Sequence, residues 1–209
     1  MFFEEADIFN LNKVKRLKLI NSITGVKPAN LIGTRSADGI TNLAIFSSIV
    51  HLGSNPPLIS FVTRTSKNVN RNTLANILST NFFTINQIQK SFVKNAHYTS
   101  AKFNESISEF EMCKLDEEYI NNFHAPFVKQ SNLKIGLELK EIIKITSNDS
   151  TLVVGEIKQI TTKKEYLKDD FMFDLEKSGA LAIGGLNEYF TIKNAANFPY
   201  VRLKDFPNF

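Results

Sequence analysis

The sequence has little of the chemistry that builds disulfides or metal sites. Its 209 residues contain one cysteine, Cys113, and three histidines that lie far apart along the chain. A single thiol forms neither an internal disulfide nor a thiolate zinc cage, and separated histidines bind a metal only where the fold gathers them. We therefore expect no metal site. The sequence also lacks a P-loop, a G-x-S-x-G elbow, an H-E-x-x-H motif and a G-x-G-x-x-G fingerprint.

No obvious acid, base or nucleophile stands out in the chain either, so we predict no catalytic side chain. If the protein is an enzyme, we expect a bound cofactor to carry the chemistry.

Long hydrophobic runs are missing as well. His51 is the only ionisable residue between Gly39 and Thr63, but polar residues and the Pro56-Pro57 pair interrupt that stretch. A membrane span needs about 20 predominantly apolar residues in succession. The first ten residues carry acids where a secretory signal needs cations. We expect a cytoplasmic protein with no membrane partner.

A strong excess of one charge is also absent. The net charge is +4, and the densest basic run, KVKRLK at 13–18, alternates with apolar residues. That pattern is typical of the solvated face of a short helix or strand and matches no base-reading module. We expect no nucleic-acid partner, and a small anionic ligand would suit the mild positive charge.

Hydrophobic periodicity predicts an antiparallel β protein with a few helices. Two residues of positive φ at Asp38-Gly39 would form a type I′ hairpin turn. Helical spacing favours a helix over 69–80, with shorter helical stretches at about 90–96 and 167–177. The predicted strands span 29–36, 41–50, 58–64, 82–88, 133–145 and 151–162. Six short strands with one or two intervening helices predict a closed antiparallel barrel.

Two features of this pattern could bind a ligand. Ser47 and Ser48 end an apolar strand, so their hydroxyls could face a planar ligand at a barrel rim or could bond local backbone instead. Arg71 and Thr73 lie in the first turn predicted for the helix, where unpaired N–H groups favour an anion such as phosphate. An ordinary capped helix with an exposed arginine would explain the second feature equally well.

An ordered set of segments resembles a known family. The segments are KPANLIGTRSADGITNLAIFSS, NPPLISFVTR, NRNTLANI, FFTIN, HYTSAKF, SEFEMCKL, FVKQSNLKIGLELKEII and TLVVGEIKQI. In this order they resemble the flavin reductase-like family of FMN-binding split barrels. The resemblance implies an all-β fold with peripheral helices, a six-stranded antiparallel FMN-binding split barrel. It implies one domain over 1–209, with a core at about 27–162 and a C-terminal extension over 163–209.

The resemblance also implies a cofactor site for FMN. Asn42, Ala44, Phe46 and Ser47 match the strand that lies along the isoalloxazine ring in the family, and Ser48 would also contact the ring. Arg64, Arg71, Asn72 and Thr73 match positions near the FMN phosphate. Thr99 and Ser100, with Ala101, match the family's T-S-A segment, and the first two are predicted to bind the cofactor. Ile45 departs from the family's usual proline, and Asn72 from its usual aspartate.

The function implied is that of an FMN-binding oxidoreductase of flavin reductase type, which passes a hydride from NAD(P)H to flavin. The resemblance implies a homodimer, to which apolar residues near the C-terminus, such as Leu181 and Ile183, would contribute. The alternative is an FMN-binding carrier or redox partner without its own NAD(P)H reductase activity. A structural barrel that binds no flavin remains a third possibility.

Overall fold

The computed structural model of the chain describes residues 1–64 and 72–207. Within them, stretches rich in β-branched and aromatic residues form strands, because these side chains suit extended backbone. The strands are β1 (Lys27–Pro28), β2 (Asn30–Arg35), β3 (Thr41–Phe46), β4 (Val50–Ser54), β5 (Pro57–Arg64), β6 (Phe82–Gln87), β7 (Glu117–Glu118), β8 (Phe127–Val128), β9 (Leu133–Ile145), β10 (Ser150–Thr162), β11 (Leu181–Gly184) and β12 (Glu188–Thr191). The helices are α1 (Glu5–Asn10), α2 (Lys13–Ser22), α3 (Asn72–Thr80), α4 (Val93–Tyr98) and α5 (Glu109–Met112).

Seven strands form the main sheet, in the order β3-β2-β6-β9-β10-β5-β4, and every neighbouring pair is antiparallel. The seventh strand arises because the predicted strand over 41–50 stops at Phe46 and a new strand begins at Val50. A smaller sheet joins β1, β11 and β12, and β7 pairs with β8. The prediction of an all-β antiparallel split barrel is confirmed.

The connection between β3 and β4 forces the main sheet to curl. These two strands lie at opposite ends of the sheet order, yet only residues 47–49 separate them in the chain. In a flat sheet, six strand spacings of about 4.8 Å would hold them roughly 29 Å apart. Four residue steps reach about 14 Å at most. The two ends of the sheet therefore meet, and the barrel is split between β3 and the β5-β4 pair.

Ser48 fastens this junction to β5. Its hydroxyl donates to the carbonyl of Val62 at 2.9 Å and accepts from the N–H of Val62 at 3.0 Å. The pairing of β4 with β5 ends before Val62, so the N–H and C=O of Val62 have no partner in β4. The hydroxyl of Ser48 takes the place of that strand. Ser48 therefore bonds backbone rather than facing the ligand cavity, but the backbone is that of β5, 14 residues away, and not that of its own turn.

Two hydrophobic layers hold the barrel together. The inner layer includes Phe61, Phe83 and Ile77, and α3 contributes Leu74 and Ile77 to it. The ring of Phe61 makes edge contacts with Phe46 at 4.9 Å and Phe83 at 5.6 Å between centroids. Gly155 makes room for this layer, since a Cβ there would stand 2.5 Å from the ring of Phe83.

The outer layer packs the opposite face of the sheet against α4, α5 and β11. In this layer Leu31 and Leu43 project from the sheet, and Phe110 of α5 and Leu181 of β11 pack against them. Side chains alternate between the two faces of a strand, so β2 and β3 serve both layers. Strand β3 thus lies between the inside of the barrel and the helices outside it.

Several local predictions from the sequence need correction. The hairpin loop after β2 spans 36–40, with only Gly39 at positive φ (+90°), so the predicted type I′ turn at Asp38-Gly39 is wrong. The predicted helical stretch over 167–177 contains turns and an isolated antiparallel bridge between Leu167 and Phe173 instead. The short helix predicted at 90–96 begins later, at Val93.

The basic run at 13–18 lies in α2, which has no buried residue, as a solvated face requires. Among the residues that the structure describes, no helix is both long and apolar enough to cross a membrane.

We expect Ser48→Ala to lower the free energy of unfolding of the flavin-free protein by about 1–2 kcal/mol, because a donor and an acceptor of Val62 lose their partner. Urea denaturation measures the change. Ser48→Thr keeps the hydroxyl and should retain most of the stability. Ser47→Ala is the matched control, since Ser47 makes no side-chain hydrogen bond to any described residue. Equal losses for Ser47→Ala and Ser48→Ala would contradict the role given to Ser48.

Candidate functional site

A cavity of about 290 Å³ opens at the split of the barrel. Five parts of the fold meet there: the free edge of β3, the end of β5, the first turn of α3, the segment that follows α4, and the start of α5. Its lining residues are Asn42, Ala44, Ile45, Phe46, Thr63, Asn72, Thr73, Thr99, Ser100, Ala101, Lys102, Phe103 and Glu109. The volume is close to the lower end of the range for small-molecule sites.

The structure gathers most of the site residues predicted from the sequence. Those that line the cavity are Asn42, Ala44, Phe46, Asn72, Thr73, Thr99 and Ser100. Ser47 lines an adjacent cavity instead, and Ser48 is bonded to β5. Arg64 is exposed at the end of β5, next to the lining residue Thr63. Arg71 lies outside the described residues, and a flavin contact by any of these side chains stays a prediction.

Buried amides and hydroxyls fix the floor of the cavity. Asn42 donates through Nδ2 to the hydroxyl of Thr73 at 3.1 Å and to that of Thr34 at 3.3 Å. Asn76 donates to the same Thr34 hydroxyl at 3.1 Å. These bonds join β2, β3 and the first turn of α3. Because the groups are buried and mutually bonded, α3 is held in one position beneath β3.

The edge of β3 offers backbone groups to the cavity. Strand β3 pairs with β2 on one side only, and the N–H of Leu43 points away from β2 to bind Oε2 of Glu109 at 2.9 Å. Backbone groups of alternate residues in a strand point to the same side. The N–H and C=O of Ile45 therefore also face outward, and Ile45 lines the cavity.

Glu109 places a carboxyl group in this otherwise weakly charged lining. It is the first residue of α5 and only 6% exposed. Burial raises the pKa of the Glu109 carboxyl, and the hydrogen bond from the N–H of Leu43 opposes part of that rise. The folded chain therefore holds this proton more tightly than the unfolded chain does.

Five lining residues had no predicted role: Ile45, Thr63, Lys102, Phe103 and Glu109. A sixth, Ala101, was matched to the family's T-S-A segment but not assigned to the cofactor site. Ala101, Lys102 and Phe103 directly follow Thr99 and Ser100, so their place in the same family segment was a usable signal. Ile45 was noted only as a departure from the family's proline. Glu109 carries no local signal, because a carboxylate at the start of a short helix is ordinary in sequence.

The lining suits a planar heteroaromatic ligand with an anionic tail. Ala44, Phe46 and Phe103 give apolar surface for a ring system, and the edge of β3 gives a donor beside an acceptor. Asn72 and Thr73 open α3, and the first N–H groups of an α-helix, which have no partner within the helix, favour an anion together with the helix dipole. Lys102 adds a cation among the described lining residues. A flavin mononucleotide has this combination of ring and phosphate.

Comparison with known proteins agrees with this chemistry. A family model described as "Flavin reductase like domain" matches residues 26–178. The chain is 39% identical to a split-barrel protein from Shewanella frigidimarina NCIMB 400 whose crystal structure is described as that of a candidate flavin reductase. The two superpose with a TM-score of 0.91, over 96% of this chain and 100% of the other.

Two more distant structures share the fold. Nitrilotriacetate monooxygenase component B from Bacillus cereus is 18% identical with a TM-score of 0.84, over 95% of this chain and 98% of the other. Flavoredoxin of Desulfovibrio vulgaris (Miyazaki F) is 23% identical with a TM-score of 0.72, over 84% and 91% of the respective chains. At these identities the similarity concerns the fold alone.

Proposed function

The chain belongs to the flavin reductase-like domain family, and on that premise we propose that it is an FMN-binding oxidoreductase that passes a hydride from NAD(P)H to its flavin. The observation that carries the proposal is the cavity at the split of the barrel, where seven residues predicted to bind the cofactor come together. When bound, the flavin supplies the hydride-accepting group, so the protein needs to bind and orient rather than to provide an acid or base.

The edge of β3 supports binding of the ring system. A flavin carries alternating carbonyl and N–H groups along its pyrimidine edge, and the outward N–H and C=O of Ile45 would complement such a pattern. Ala44 and Phe46 belong to the same strand and project from the face that lines the cavity. The Asn42–Thr73 bond holds this strand and α3 in fixed positions, so the site is largely formed before a ligand arrives.

The first turn of α3 supports FMN over a flavin without phosphate. Asn72 and Thr73 contribute to the lining, and an α-helix leaves its first four N–H groups without partners in the helix. Lys102 would add attraction for the phosphate. Arg71 keeps the phosphate role predicted from the sequence, since it directly precedes α3. The chain has no dinucleotide fingerprint for an adenylate half, which favours FMN as the cofactor rather than FAD.

We expect Ala44→Leu to weaken FMN binding about five- to 150-fold, because overpacking a site of this size costs about 1–3 kcal/mol. Fluorescence titration of the flavin measures the effect. Ala75→Leu is the matched control, since Ala75 is exposed on α3 and does not line this cavity. Unchanged affinity in Ala44→Leu, with the fold intact by circular dichroism, would place the flavin elsewhere.

A flavin carrier or redox partner without its own reductase activity is the second candidate function. It is supported by the same cavity, because a carrier also needs a preformed flavin site.

We expect NADH or NADPH to bleach the visible absorption of the FMN-loaded protein under anaerobic conditions, with one equivalent reducing one flavin. Dithionite serves as the control that the bound flavin can be reduced. Bleaching by dithionite but by neither nucleotide would favour the carrier.

We also propose that the protein is a homodimer. Leu181 and Ile183, which the sequence analysis assigned to an interface, are buried within the single chain and need no partner. Exposed apolar residues in the tail after β12 are better candidates for an interface, since Phe198, Tyr200 and Leu203 are each more than four-fifths exposed. A second copy would cover such a patch.

Light scattering should give the mass of two chains, and a truncation after Asn194 should shift the measured mass toward that of one chain. A full-length protein with the mass of one chain at micromolar concentration would contradict the dimer.

A further inference from the structure

Glu109 is a buried carboxyl group that the proposed function leaves without a role. It lines the cavity at the split of the barrel, and only 6% of the residue is exposed. None of the ion pairs between described residues includes it. A buried carboxylate without a cation is costly, and the usual outcome is that the group keeps its proton. Burial is the largest influence on the pKa of Glu109, and it raises that pKa.

Two contacts hold this carboxyl group at the free edge of β3. Its Oε2 accepts a hydrogen bond from the N–H of Leu43 at 2.9 Å. The hydroxyl of Ser108, the residue before α5, lies 2.7 Å from the hydroxyl of Thr41 at the start of β3. The start of α5 and the carboxyl group of its first residue are therefore both attached to the same strand, which fixes Glu109 in the cavity.

The position of the carboxyl group along the strand edge places it beside the proposed ring site. Leu43 and Ile45 direct their backbone groups to the same side, and residues two apart in a strand are separated by about 7 Å. A ring system that bonds to Ile45 through its pyrimidine edge would bring its carbonyl groups close to Glu109. A protonated carboxyl group can accept from Leu43 and still donate its proton to such a carbonyl, whereas a carboxylate can only accept.

The other titratable groups around Glu109 come from three parts of the fold. Lys102 lies in the segment after α4, and Glu117 of β7 reaches the start of α5 through intervening hydroxyl groups. Cys113 follows α5, and burial together with the charge of Glu109 raises the pKa of its thiol. Strands β3 and helix α3 contribute no titratable side chain. His97 lies in the adjacent cavity. A variant that changes Glu109 alone keeps all of these groups and isolates its contribution.

We propose that Glu109 binds the flavin ring through its neutral carboxyl group, so that flavin binding is accompanied by the uptake of a proton at this residue. The inference rests on the proposed function, because it adds a binding group to the same site. A bound ring shields the carboxyl group further from water and raises its pKa above that of the flavin-free protein. Affinity is therefore highest at a pH below the pKa of Glu109 in the flavin-free protein, and it falls as the pH rises above that value.

Glu109→Gln is the matched variant, since its amide keeps an acceptor for Leu43 and a donor for the ring but does not ionise. Fluorescence titration gives the dissociation constant of FMN for both proteins, and the FMN phosphate titrates in the same way in each. We expect the ratio of the wild-type constant to that of the variant to stay within about twofold near pH 5 and to rise to about three- to tenfold near pH 8, the effect of one hydrogen bond. Glu111→Gln is the control, since Glu111 is exposed on the same helix and does not line the cavity. It should follow wild type throughout.

Calorimetry measures the proton directly and needs no variant to fold. FMN binding to the wild-type protein is followed in two buffers of different ionisation enthalpy, at a pH well above about 6, where the FMN phosphate is already almost fully ionised. We expect a net uptake of protons by the wild-type protein, and a smaller uptake by Glu109→Gln.

Other results would overturn the inference. A ratio of dissociation constants that stays constant with pH, even if the variant binds more weakly throughout, would leave Glu109 with a structural role only. Binding of FMN to the wild-type protein without proton uptake would also contradict the proposal and leave flavin binding intact. A wild-type protein that binds no FMN at any pH would overturn the proposed function, and this inference with it.

Discussion

The three-residue connection between β3 and β4 is the constraint on which the rest of the structure depends. Seven antiparallel strands could lie in an open, twisted sheet, but this connection brings the first and last strands together. Ser48 then bonds the junction to Val62 on β5, where a regular ladder would need another strand. The closure stays incomplete because β3 and β5 do not pair with each other. A split with one free strand edge is the result.

That free edge is what makes a site possible. Unpaired backbone groups at a sheet edge normally attract another strand, and proteins cover or occupy them. Here Glu109 accepts a hydrogen bond from the N–H of Leu43, while the N–H and C=O of Ile45 face the cavity. The buried amides of Asn42 and Asn76 lock α3 against the same strand through Thr34 and Thr73. The donors and acceptors proposed for the flavin thus come from a rigid part of the fold.

The end of β3 also separates two chemically different spaces. On one side lies the cavity with Lys102, Glu109 and the first turn of α3, which suits a ring with an anionic tail. On the other side lies the adjacent cavity lined by Ser47 and His97, whose described lining bears no acid, lysine or arginine. Ile45 and Ser100 belong to both. The two linings therefore differ in charge although they share the end of β3.

The sequence by itself determined the local elements: runs rich in β-branched residues predicted the long strands β9 and β10, and helical spacing predicted α3. Ordered motifs identified the family and seven of the residues that line the cavity. The helix predicted over 167–177 was wrong, because the residue types found in short helices also occur in turns and the local pattern does not distinguish the two. Only the tertiary structure decided that Ser48 bonds β5, that Glu109 meets the edge of β3, and that His97 faces Tyr189. Such pairs lie between 14 and 92 residues apart, and closure of the barrel rather than any local preference brings them together.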